Sequence, residues 1–128
     1  EIHGPLDENH YVVDFIAVRD ALKEIVDELD HRMLLPTDHP LIIVTADATS
    51  VEAVFRERRW VFPREDCVLL PISNTTTERL AQLIGKRLLK TLEQKLGVRP
   101  DALKLAVDEN HGQWGVWHYR ATTDSRSA

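Results

Sequence analysis

The stretch from Thr75 to Pro100, TTTERLAQLIGKRLLKTLEQKLGVRP, limits what this chain can fold into more than any other. It opens on Thr75-x-x-Glu78, a spacing at which the two side chains satisfy each other's free backbone donors at a helix start. Leu80, Leu83, Ile84, Leu88 and Leu92 then recur at three- and four-residue steps, and Gly97 with Pro100 closes the run. A helix with one apolar stripe has to bury that stripe against another element. Leu103–Val107 and Trp114–Arg120 then read as two closing strands, with ENHGQ as the turn between them.

An earlier helix matches it. Asp14 can accept from the first-turn backbone donors, and Phe15, Val18, Leu22, Ile25, Val26 and Leu29 draw one apolar face. Tyr11–Val13 reads as a strand end before it, and Pro36 and Pro40 stop any continuation after it. Leu41–Thr45 then reads as a buried-type strand. VEAVF and RRWVF read as hairpin arms around Arg56-Glu57, and Cys67–Ile72 as another short apolar run. Strands in runs with two helices between them predict α+β with an antiparallel sheet, in one domain over 1–128 with 121–128 frayed.

Composition narrows the partners. With 128 residues, 43% hydrophobic, the chain can bury a real core. No apolar run approaches the roughly 20 residues of a bilayer span. A net charge of −5 without a basic stripe argues against nucleic acid. One cysteine allows no internal disulfide and fits a cytoplasmic setting.

Three polar clusters stand out: Leu29-Asp30-His31 after the first helix, Asn74–Glu78 opening the second, and Val107–His111 ending a strand. Each taken singly has a plain structural role, as dipole complement, helix cap or hairpin turn. Their order is more informative. GPLDENHYVVDFIAVRDALK, then LDH, then TTE at Thr76–Glu78, then DEN around Glu109 resembles the 6-pyruvoyl-tetrahydropterin synthase and 6-carboxytetrahydropterin synthase family from about Gly4 to Arg120. His10, Leu35 and Asn110 depart from the family pattern, and Thr37–Pro71 is longer than in compact members.

The resemblance implies a T-fold, ββααββ, with a four-stranded antiparallel sheet backed by two helices and an inserted hairpin near 41–72. It implies subunits joined into a homo-oligomer, a hexamer of two trimeric rings, with active sites between subunits. The implied activity is a lyase on 7,8-dihydroneopterin triphosphate, in tetrahydropterin or queuosine-precursor biosynthesis, the carboxy-forming branch also releasing acetaldehyde. By the same resemblance Asp30 and His31 are the catalytic pair, and Thr76, Thr77, Glu78 and Glu109 bind the pterin. Zinc is the implied cofactor. Its three histidines, and the catalytic cysteine between them, are expected upstream of Glu1, within about 30–40 further residues that complete the sheet. His3, His10, His39, His111 and His118 show no ligand spacing, and Cys67 reads as core. Two other readings stay open: a zinc-free pterin-binding relative without synthase activity, and a T-fold enzyme acting on another purine-like ring.

Overall fold

The computed structural model describes residues 1–4, 14–97, 99–110 and 112–122. The expected strand end Tyr11–Val13, together with His10 and His111, lies outside them. In chain order the elements are β1 (Ile2–His3), α1 (Phe15–Leu29), β2 (Met33–Pro36), β3 (Ile42–Ala46), β4 (Ser50–Phe55) and β5 (Arg58–Pro63). A 3-10 turn (Arg64–Asp66) leads into β6 (Cys67–Leu70), α2 (Thr77–Leu96), β7 (Ala102–Asp108) and β8 (Trp114–Arg120). The architecture is α+β.

β1, β7 and β8 form an antiparallel sheet in that order, backed by the two helices. β7 and β8 pair over their whole length, from Ala102 opposite Arg120 to Asp108 opposite Trp114. Ala81, Ile84, Leu88 and Leu92 of α2 meet Leu103 and Leu105 of β7, with Ala21 and Ile25 of α1 completing the buried cluster. Burial of Leu88 or Leu92 contributes about 1.5–3 kcal/mol each. The buried stripe of α2 is rotated from the one expected: Ala81 and Gly85 lie inside, while Leu80 and Leu83 are half-buried. Small residues win those positions because the sheet comes close there. A Cβ on Gly85 would collide with Cε3 of the Trp117 ring, which explains a glycine in a helix interior. On α1, Phe15 and Val26 are exposed rather than part of the apolar face.

The helix ends follow from local chemistry. Asp14 caps α1, its Oδ1 accepting from Ile16 N–H at 2.9 Å. Gly97 ends α2 at φ +63, a left-handed conformation that costs glycine little. The cap of α2 falls one residue later than expected. Thr76, not Thr75, is the N-cap, its Oγ1 accepting from Arg79 N–H at 3.3 Å. Thr75 N–H is instead held by Asn74 Oδ1 at 2.9 Å, and Glu78 sits in the first turn, where a carboxylate suits the helix dipole.

The 41–72 region is more than the expected hairpin. β4 and β5 do pair around Arg56-Glu57, with Arg56 at φ +55 and its guanidinium 5.0 Å from the Phe55 ring. β3 adds a third antiparallel strand on the far side of β4. β3 is not a strand buried on both faces: Ile42 and Val44 are half-buried, whereas Ile43 is 63% exposed on the open face. β2 was not expected at all, and it pairs with β6 in parallel, Met33 opposite Cys67 through Pro36 opposite Leu70. This pairing departs from the all-antiparallel expectation. Leu35, Val51, Ala53 and Cys67 join these two sheets in a second buried cluster.

The β3–β4 turn is tied by Asp47, whose Oδ1 accepts from Thr49 N–H and Ser50 N–H, both at 2.8 Å. Those backbone donors hold its carboxyl below the usual carboxylate range. A depressed folded-state value stabilises the fold above the unfolded value near pH 3.9, and that stabilisation is lost as pH falls through the folded one. Asp47→Ala is therefore expected to lower the melting temperature at pH 7, with the difference from the parent shrinking as the pH falls through the folded value. Melting curves across that range check it.

Candidate active site

The two helices run antiparallel. Glu24 of α1 meets Lys95 of α2 at 3.1 Å and Glu28 meets Arg87 at 3.3 Å, so α1 advances toward the start of α2. Arg87 lies ten residues into α2, so Asp30 and His31, just past α1, come level with the middle of α2 rather than with its Thr76–Glu78 start. Asp30 is the C-cap of α1, its N–H donating to Val26 O at 2.9 Å. His31 takes a left-handed φ of +57, a conformation uncommon outside glycine, with Nδ1 3.0 Å from Asp30 Oδ2. The pair stands in solvent, the His31 side chain 91% exposed.

At the start of α2, Thr77 donates from Oγ1 to Glu78 Oε2 at 3.4 Å. This turn is pressed onto β8. A Cβ on Gly115 would lie 2.6 Å from Glu78 N and 2.6 Å from Thr77 Cβ, so only glycine permits the approach. Gly115 stands opposite Val107, two residues before Glu109. The tight packing therefore brings Thr77 and Glu78 to the end of the sheet that carries the Glu109 turn. There Glu109 N–H donates to Gln113 O at 2.8 Å, and Asn110 N–H to Asp108 Oδ1 at 2.9 Å. Asn110 and Gly112 take φ of +62 and +76, which closes the turn. The Glu109 carboxylate is exposed, and among the described residues it has no side-chain partner.

Gly115 is the site-building residue that sequence reading missed. Its one signal was a glycine inside an otherwise regular strand pattern, the usual mark of a close approach.

A sequence profile of the 6-pyruvoyl tetrahydropterin synthase family matches residues 1–119. The chain belongs to this family. A Methanocaldococcus jannaschii protein provisionally named 6-carboxy-5,6,7,8-tetrahydropterin synthase is 29% identical over 103 residues, 80% of this chain and 63% of that protein. A Pyrococcus horikoshii protein of the same provisional name is 33% identical over 89 residues, 69% of this chain and 51% of that one. The chain thus spans less than two thirds of either archaeal relative. Among solved structures, Plasmodium falciparum 6-pyruvoyl tetrahydropterin synthase superposes with a TM-score of 0.83 at 23% identity, over 92% of this chain and 74% of that one. The Plasmodium vivax enzyme gives 0.82 at 21% identity with the same coverage. Likeness at that identity establishes the T-fold.

The implied zinc needs several His, Cys or carboxylate donors converging on one point. His3 Nε2 lies 2.6 Å from Glu1 Oε1, and His39 Nδ1 accepts from the N–H groups of Leu41 and Ile42 at 3.0 Å each. His118 is on β8 and His31 follows α1. Among the described residues no three His, Cys, Asp or Glu side chains group as metal ligands. The described residues do not fit zinc. Cys67 is buried, and burial pushes its thiol up, as expected of a core residue rather than a nucleophile. Among the described residues no helix is long and apolar enough to cross a membrane.

Proposed function

We propose that this chain carries the ring-anchoring and proton-transfer parts of a lyase acting on 7,8-dihydroneopterin triphosphate. The observation behind this reading is the seat of α2 on Gly115, which sets Thr77 and Glu78 at the sheet end that holds Glu109. Glu109 accepts from a pterin ring N–H and its exocyclic amine together, a paired geometry that fixes ring orientation. Thr76, Thr77 and Glu78 wall the ring.

His31 moves protons on the substrate side chain, and Asp30 holds its tautomer through Nδ1. The two archaeal relatives favour the carboxy-forming branch, of the kind that supplies queuosine precursors. A histidine 91% exposed is poorly placed to work alone, since water screens its charge and competes for its proton. A second copy closing over it removes that water, which supports sites between subunits of a homo-oligomer, a hexamer in this reading. β8, at the outer edge of its sheet among the described residues, offers the backbone groups through which copies can pair.

Incubation of the protein with 7,8-dihydroneopterin triphosphate, with triphosphate release followed, is the direct test. Release is expected, and His31→Ala is expected to slow it about 10²–10⁴-fold. Pterin binding without release by the parent would favour the non-catalytic reading instead. Sedimentation is expected to show an assembly at micromolar concentration. A monomer would remove the shared site.

A further inference from the structure

Between β2 and the inner face of the β3–β5 sheet lies a cavity of about 420 Å³, within the range of small-molecule sites. Met33, Phe55, Trp60 and Phe62 are among its apolar walls, and Asn74 and Thr75 are the two polar residues at its lining. The walls are backed by structure rather than by loops: Phe62 packs on the buried cluster of Leu35, Val51, Ala53 and Cys67. Asn74 Oδ1 is already committed to Thr75 N–H, which leaves the Asn74 NH2 group and the Thr75 hydroxyl as donors. Among the described residues neither has a protein acceptor. The cavity is also bracketed by the candidate active site. Met33 comes two residues after His31, and Thr75 one residue before Thr76.

We propose that this cavity is a second small-molecule site, separate from Glu109, that takes a flat, largely apolar aromatic ring with a hydrogen-bond acceptor at its edge. Three aromatic side chains provide stacking and edge contacts for such a ring. The two donors require an acceptor opposite them, because a donor that a bound ring covers and leaves unpaired costs affinity. No charged side chain lines the cavity, so a triphosphate has nothing there to replace its water. The site is therefore no extension of the pterin reading. A ring bound here would hold β2, which leaves the Asp30–His31 end, against the segment that enters α2.

Quinoline, a bicyclic ring with one nitrogen acceptor, is a suitable probe. Titrated into the full chain and followed by tryptophan fluorescence and calorimetry, it is expected to bind saturably, one per chain. Ala53→Leu fills the cavity and Trp60→Ala removes a wall, and each is expected to weaken binding at least tenfold. Glu109→Gln is expected to leave quinoline binding unchanged. Trp60 is 41% exposed, so Trp60→Ala keeps the test alive if Ala53→Leu fails to fold. Absence of saturable binding overturns the proposal, as does binding that survives Trp60→Ala. Loss of binding in Glu109→Gln would place the ring at the anchoring carboxylate and overturn it as well.

Discussion

Glu109→Gln is expected to weaken binding of a reduced pterin by roughly five- to a hundredfold, while Asp30→Asn leaves affinity nearly unchanged and slows turnover. The glutamine keeps the size of the side chain but replaces one acceptor oxygen with an NH2 donor. That donor would face a ring donor, leaving both unpaired at a cost of about 1–3 kcal/mol. The backbone around Glu109 is held by its own N–H to Gln113 and by Asn110 N–H to Asp108, so the substitution should change acceptor chemistry without disturbing the turn. Asp30 differs in kind. It stands beside His31 Nδ1 at 3.0 Å, and its removal should alter the tautomer and orientation of the imidazole rather than the grip on a ring. Fluorescence or calorimetric titration of both variants, with steady-state rates alongside, separates the two effects. A Glu109→Gln protein that binds as tightly as the parent would return the 107–111 segment to an ordinary hairpin turn.

Gly115→Ala is expected to destabilise the fold and weaken the candidate site together. Its Cβ would press into the backbone of Thr77 and Glu78, which cannot rotate away as a side-chain tip can. The first turn of α2 must then lift from β8. Overpacking of this kind costs about 1–3 kcal/mol, or roughly 3–6 °C of melting temperature for each kcal/mol in a domain of this size. Because the displaced turn carries Thr77 and Glu78, the surviving folded protein is also expected to bind pterin more weakly. Thermal melts together with titration check both halves. An unchanged melting temperature would mean that the α2–β8 approach is looser than the packing described.

The residues themselves disclosed much of what depends on near neighbours. Asp14 and Gly97 mark helix ends because a carboxylate can reach first-turn donors and glycine can take φ +63. The Arg56-Glu57 break between two alternating runs identified a hairpin, since such a turn needs only two residues. The order of Asp30-His31, Thr76–Glu78 and Glu109 was enough to point to the family, which the profile match over 1–119 bears out.

Other features were decided by long-range packing. β2 is four residues long and ends in proline, and its partner β6 lies more than thirty residues away, so no local periodicity reveals the parallel pair. The cap of α2 is a local exception: it falls at Thr76 rather than Thr75, with Asn74 holding the Thr75 N–H, a contest between neighbouring polar groups that spacing alone cannot rank. The buried stripe rotated toward Ala81 and Gly85 because Trp117, from a strand more than thirty residues on, occupies the space a larger side chain would need. The apolar cavity is likewise legible only in three dimensions. Its walls come from β2, the β3–β5 sheet and the 74–75 segment, whose side chains converge only after the two short sheets have packed around Val51 and Cys67. Caps and turns follow from chemistry within a few bonds of each residue, whereas cavities and close approaches depend on which distant side chains arrive at the same place.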